Sequence, residues 1–204
     1  ITFADISAIG LNTGFMVIVA VALTVCLGFV LAKFLKLSPD FGLIAGGSVG
    51  ICGASAALAV ASVLPKSKEN EQFTLLVVVG VTVLSTIAMV TYPFALQMLD
   101  IGALSAGIFI GATIHDVAQV VAAGMLFGPE AGDVATVVKL FRVALLLPVV
   151  LVISIFFGAQ KTTSTLGWSS LRLIPTFLLG FVALSIVASM QILPTSITHQ
   201  IGGL

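Results

Sequence analysis

The sequence predicts an all-α integral membrane protein with about six hydrophobic segments, two of them broken at glycine or re-entrant. Hydrophobic residues make up 59% of the chain and charged residues only 8%, where a soluble domain carries about a quarter charged. The apolar runs recur at about 20 residues, the length an α-helix needs to cross a hydrocarbon core of roughly 30 Å. They lack the period-two alternation of a membrane β-barrel, and the mean hydropathy is +1.28.

The elements follow in order. Residues 1–11 read as a loop in which Asp5 is the only charge. The first span is expected over residues 12–32, closed by Lys33 and Lys36, whose stems can snorkel to headgroups. Ser38-Pro39-Asp40 restarts the chain. The second segment, residues 41–64, holds Gly42, Gly46, Gly47, Gly50 and Gly53. Gly46-x-x-x-Gly50 is the small-residue spacing of closely packed membrane helices. Packing would explain these glycines, and so would a helix broken near Cys52-Gly53, whose freed N–H groups could hold an anion. A solvated loop, residues 65–71, leads to a third span over 73–92, with Pro93 near its end. The fourth segment, residues 102–125, contains Gly107-x-x-x-Gly111 and ends before Gly128-Pro129-Glu130. Asp133 then stands near the start of the fifth span, residues 134–157, where a helix dipole favours an acid. That span carries Lys139 and Arg142 on one face and should kink at Pro148. A polar loop, residues 158–170, precedes a sixth span over 171–190. If all six cross, Lys33, Lys36, Lys161 and Arg172 share one side and Lys66 and Lys68 the other. The first side is then cytoplasmic.

Ionisable residues inside a bilayer are costly and mark functional sites. His115 and Asp116 sit side by side in the fourth segment, and successive helical residues point about 100° apart, so the two serve different faces. Gln119 adds a polar group nearby. Gly53-Ala54-Ser55 and Gly111-Ala112-Thr113 form a matching signature in two segments that run parallel if they cross and are inverted if both are re-entrant. Asp116 lies nine residues before Met125 and Arg142 nine after Asp133, which places both roughly 14 Å from one surface. They could form a fixed ion pair. Alternatively, Arg142 and Lys139 attract an anion while His115 or Asp116 exchanges a proton.

Other chemistry finds little support. There is no basic run to suggest nucleic acid, and no metal-ligand spacing, Walker loop or nucleophile elbow. No cofactor is implied. Cys26 and Cys52 lie in apolar runs and read as small buried hydrophobes. Ser55, His115 and Asp116 have no spacing that specifies a hydrolytic triad. His199 reads as a solvated loop residue, and Trp168 and Tyr92 as interfacial aromatics.

Three stretches carry a family resemblance: Ile51-Cys52-Gly53-Ala54-Ser55-Ala56, His115-Asp116-Val117-Ala118-Gln119-Val120-Val121-Ala122-Ala123-Gly124 with the preceding Gly111 to Ile114, and Val138-Lys139-Leu140-Phe141-Arg142-Val143 followed by Pro148. The chain resembles the YeiH-type sulfate exporter family of the bacterial inner membrane. The resemblance implies a multi-pass protein grouped with cation:proton antiporters and bile-acid symporters, with inverted repeats, broken helices and a core that moves against a scaffold. Family members are longer, so residues 1–204 are expected to be one transmembrane region from the middle of a longer chain. They also carry an acid after the first motif, where Ala61-Ser62-Val63-Leu64-Pro65 has none.

The expected function is therefore a secondary transporter, not an enzyme, that exports a small inorganic or sulfur-containing anion across the lipid bilayer. Gly53, Ala54, Ser55, Gly111, Ala112 and Thr113 would shape the site, and Arg142 and Lys139 would bind the anion. His115, Asp116 and Gln119 would couple transport to protons or Na+. A homo-oligomer stays open. The alternative is a structural or sensory membrane subunit whose buried polar residues serve helix packing. An intramembrane enzyme would need a polar cavity joining Ser55 to His115.

Overall fold

The computed structural model describes residues 11–157, and every regular element among them is an α-helix. These are α1 (Leu11–Phe34), α2 (Pro39–Gly50), α3 (Ala54–Val63), α4 (Lys68–Met98), α5 (Ala103–Thr113), α6 (Val117–Phe127), α7 (Pro129–Ala144) and α8 (Leu146–Phe157). Among the described residues three stretches are long and apolar enough to cross a membrane, namely Asn12–Phe34, Lys68–Met98 and Pro129–Phe157. The sixth span expected over 171–190, the leading loop, Trp168 and His199 lie outside the described residues.

After α1 the chain reverses through Lys36, which has a positive φ of 58°. Ser38 caps α2 by accepting the Phe41 N–H at 3.2 Å, and Pro39 takes the first helical position, where its missing N–H costs nothing. α2 then runs back along α1 with backbone touching backbone. A Cβ on Gly28 would come within 2.7 Å of the Gly42 carbonyl oxygen and of Gly46 Cα. Any larger side chain would force these helices apart.

The second segment does not cross. α2 stops at Gly50, and Gly53 adopts φ 65° and ψ −124°, a conformation open in practice only to glycine. The chain turns there and α3 retraces α2, so that Gly47 faces Val60, with a built Cβ 2.9 Å from Val60 Cγ2. At the open end Asn70 Nδ2 donates to Asp40 Oδ2 and to the Pro65 carbonyl, both at 2.8 Å. Entry and exit are thus joined at one end of the molecule. With 12 and 10 residues the arms are about 18 and 15 Å long, half of what a crossing needs. The segment is a re-entrant hairpin.

The fourth segment is a second hairpin of opposite orientation. In α5, Gly107 packs on Ala131 and Val134, and Gly111 on Ala135 and Val138, so α5 runs parallel to α7. In α6, Gly124 packs on Gly132, with a built Cβ 2.7 Å from Gly132 Cα, so α6 runs antiparallel to α7. The two arms therefore return to the same end, with Ile114-His115-Asp116 as the tip. Because the full-length α4 lies between the hairpins, their tips approach from opposite ends. This resolves the sequence ambiguity in favour of inverted, re-entrant segments.

Two further expectations change. Residues Lys33 and Lys36 and residues Lys66 and Lys68 flank the first hairpin at its open end, so they share one side rather than opposing each other. The fifth span begins at Pro129 rather than at 134, and its break falls at Leu145, whose N–H bonds to Arg142 O at 3.0 Å. Pro148 explains the position, because its ring clashes with the carbonyl four residues earlier, on Ala144. Two apolar clusters fill the interior. One joins the first hairpin to α1, α4 and α8, and the other joins the second hairpin to the later half of α4.

Candidate functional site

The hairpin tips meet halfway along α4. A Cβ built on Gly53 would lie 3.3 Å from His115 Cβ, so at this position only glycine lets the tips touch unstrained. Each tip is held by a buried serine. Ser48 Oγ donates to Gly53 O at 2.8 Å, and the Gly53 N–H returns to Ser48 O at 2.9 Å. Ser85 Oγ, on α4, accepts from His115 N at 3.2 Å and from Asp116 N at 3.3 Å. Ser85 is 17 residues after Lys68 and 13 before Met98 (85 − 68 and 98 − 85), which places the tips near mid-depth. Neither serine stood out in the sequence. A serine in an apolar helix looks the same whether it bonds its own turn or a partner, and no local signal marks the difference.

Asp116 is the N-cap of α6. Its Oδ1 accepts from Ala118 N at 2.8 Å and Gln119 N at 3.3 Å, which satisfies two of the orphan donors of the helix start. Its side chain is exposed, whereas His115 and Gln119 are half-buried. Gln119 Nε2 donates to Thr86 Oγ1 at 3.0 Å. His115 Nδ1 and Gln119 Oε1 are buried without a hydrogen-bond partner among the described residues.

The two cations serve the main chain. Lys139 is fully buried, and its Nζ donates to Ile51 O at 2.7 Å and Ile114 O at 2.9 Å. Arg142 is 5% exposed. Its Nε donates to Gly50 O at 3.1 Å, Nη2 to Val49 O at 3.1 Å and also to Gly50 O, and Nη1 to Ala112 O. All five acceptors lie at the ends of α2 and α5, where breaking a helix frees carbonyls and concentrates the negative end of the dipole. The Asp116–Arg142 pair expected from depth is not the arrangement found. The guanidinium is engaged by carbonyls, and the carboxylate by the start of α6.

The remaining expected site residues divide. Gly53, Ala54 and Ser55 open α3, with Ser55 exposed and its Oγ 3.0 Å from Cys52 Sγ. Gly111, Ala112 and Thr113 close α5. There Gly111 is spent on packing against α7, Ala112 O receives Arg142, and the Thr113 hydroxyl donates to Phe109 O at 2.6 Å. The two three-residue signatures therefore flank their breaks on opposite sides and are not equivalent positions. The features that do recur are Gly46-x-x-x-Gly50 and Gly107-x-x-x-Gly111, each in the first arm of its hairpin. Ser55 and His115, paired in the enzyme alternative, are not hydrogen-bonded to each other.

Seven acids lie among the described residues. Asp40, Glu69 and Glu71 sit at the end where the first hairpin opens, and Asp100, Glu130 and Asp133 towards the other. Asp116 alone stands at the tips, against Lys139 and Arg142. Among the described residues the formal charge at mid-depth is thus +2 − 1 = +1.

Long apolar helices packed with two opposed hairpins, with ionisable groups gathered where the hairpins meet, define an integral membrane protein. The chain belongs to the family described as Conserved hypothetical protein 698, whose model matches residues 1–204. It is 43% identical over 202 residues to a UPF0324 membrane protein of Chlorobaculum tepidum, covering 98% of this chain and 56% of that relative. It is 41% identical over 199 residues to the UPF0324 membrane protein TauZ of Paracoccus denitrificans, covering 98% of this chain and 59% of TauZ. A UPF0324 membrane protein of Pseudomonas putida is 33% identical over 207 residues, covering 100% of this chain and 58% of that relative. The chain thus spans between half and three-fifths of the length of these relatives. No solved structure matches it.

Proposed function

We propose that the protein is part of a secondary transporter for a small inorganic or sulfur-containing anion of sulfate, sulfite or sulfonate type. One observation carries the reading: among the described residues two cations, Lys139 and Arg142, stand with one acid, Asp116, where the hairpin tips meet, about halfway between the two ends of the bundle. In a low-dielectric surrounding such an excess attracts an anion far more strongly than it would in water. The first turn of α3 adds N–H groups that no side chain of Gly53 caps, while the Ser55 hydroxyl beside them donates to Cys52 O at 3.2 Å. His115 Nδ1 and Gln119 Oε1 support a site at the same tips, because buried polar atoms without partners are costly unless water or a ligand meets them. His115, Asp116 and Gln119 take the coupling role, with a proton or Na+ as the ion.

The reading includes the bacterial inner membrane and several passes. Lys33, Lys36, Lys66 and Lys68 at one end support a cytoplasmic position for that end. The first hairpin then opens to the cytoplasm and the second to the far side. Each tip can serve as the floor of an access path from its own side, and export is the direction assigned.

Flux of sulfate, sulfite and small sulfonates into proteoliposomes holding the full-length protein tests this. Asp116→Asn is a clean probe, because asparagine caps a helix as well as aspartate does while removing the charge. Flux with a flattened pH dependence is expected. Flux and pH profile both equal to wild type would take Asp116 out of the coupling site. Absence of flux for every anion would sink transport.

A second reading is a structural or sensory subunit whose polar residues serve packing. It draws on the fact that the hydrogen bonds of Lys139 and Arg142 all end on main-chain carbonyls. It requires that no anion raise the melting temperature of the purified protein.

A further inference from the structure

We infer that Lys139 and Arg142 are positioning residues, which clamp the two hairpin tips to α7 as one rigid unit and do not themselves contact the transported anion. Each cation spans both hairpins. Lys139 joins Ile51 of the first to Ile114 of the second, and Arg142 joins Val49 and Gly50 to Ala112. Standing three residues apart, they lie on one face of α7, so a single helix pins the carbonyl ends of both α2 and α5.

The acceptors explain why the bonds are not exchanged for an anion. The bonds to Ile51, Ile114 and Gly50 are buried, and a buried carbonyl left unpaired is costly. An anion that drew Lys139 or Arg142 away would strand carbonyls of both tips at once. The cations therefore stay on the carbonyl side of the break and contribute charge at a distance. The groups left to touch an anion belong to the opposite arms, where α3 and α6 begin. Ser48 and Ser85 act in the same sense on single tips, whereas each of the two cations hydrogen-bonds both hairpins.

The part of this inference that concerns the anion rests on the transport reading above, whereas the clamp does not. Spin labels at the exposed residues Leu58 on α3 and Leu126 on α6 report the distance between the hairpins in the full-length protein. The background replaces its cysteines, Cys26→Ser and Cys52→Ser among them. A single narrow distance distribution is expected for this protein, with or without sulfate. Lys139→Met and Arg142→Met should each broaden it, and sulfate should not restore it. Arg142→Lys should narrow it again, because an ammonium can span two carbonyls as Lys139 does. In flux, Arg142→Lys should lower the maximal rate while the KM for sulfate changes less than about twofold. Methionine variants with the parent width and a KM raised about tenfold (1.4 kcal/mol) would overturn the clamp and make the cations ligands. Should a methionine variant fail to fold, Arg142→Lys decides. A parent width with KM raised tenfold overturns the clamp, and unchanged KM with a lower rate supports it. If no flux is found for the parent protein, transport fails and the distances alone judge the clamp.

Discussion

At the scale of single residues, the groups that shape the tips are hydroxyls and main-chain atoms as much as charges. Ser85 is the clearest case. Ser85→Ala leaves the N–H groups of His115 and Asp116 without their acceptor, and a loss of about 1–3 kcal/mol is expected, read as a lower melting temperature in detergent. An unchanged melting temperature would mean that water replaces the hydroxyl. The charged residues were legible because an ionisable group in an apolar run is conspicuous. Ser85 was not, since Thr24, Thr82, Thr86, Thr91 and Thr113 all bond their own preceding turn and a serine that does otherwise looks identical in sequence. Asp116 and Arg142 show the complementary failure. Their depth could be counted from segment ends, but the direction each side chain takes depends on which carbonyls a broken helix exposes.

At the scale of elements, the breaks were visible and the reversals were not. Residues 41–64 number 24, enough to span, so length alone favours a crossing. Only the turn at Gly53 and the bond from Asn70 to Asp40 and Pro65 disclose a hairpin. The glycine spacings did carry information, since each first arm docks on a long helix through its Gly-x-x-x-Gly pair. That gives a contrast within one residue type. A Cβ at Gly111 would press onto the Ala135 carbonyl, while a Cβ at Gly80, inside α4, meets nothing within 4 Å. Gly111→Ala should destabilise by about 1–3 kcal/mol through overpacking. Gly80→Ala should stabilise by about 0.5–1 kcal/mol through helix propensity. Thermal unfolding of both in one detergent checks the order, and the reverse order would remove the docking argument.

At the scale of the molecule, the hairpins regroup the charges. Four lysines gather at the end where the first hairpin opens, and among the described residues no lysine or arginine lies at the other end, which holds Asp100, Glu130 and Asp133. The sequence split these lysines between two sides because it counted six crossings. The all-helical membrane fold was legible from hydropathy, but sidedness was not, since one hairpin misread as a crossing inverts everything after it. Single cysteines replacing Lys36 and Lys66 should both react with an impermeant thiol reagent from the same side of the membrane, and one replacing Glu130 only from the opposite side. Labelling of Lys36→Cys and Lys66→Cys from opposite sides would restore the crossing topology.

The clamp also constrains how the protein is made. Ile51 O waits for Lys139, 88 residues later in the chain, and Gly50 O waits for Arg142, 92 residues later. During synthesis the first hairpin thus emerges long before the groups that satisfy its tip, with arms too short to anchor it across the bilayer. Until α7 has been made, the hairpin tip rests on the earlier contacts alone, the Ser48–Gly53 bonds, the packing on α1 and the Asn70 bonds at its open end.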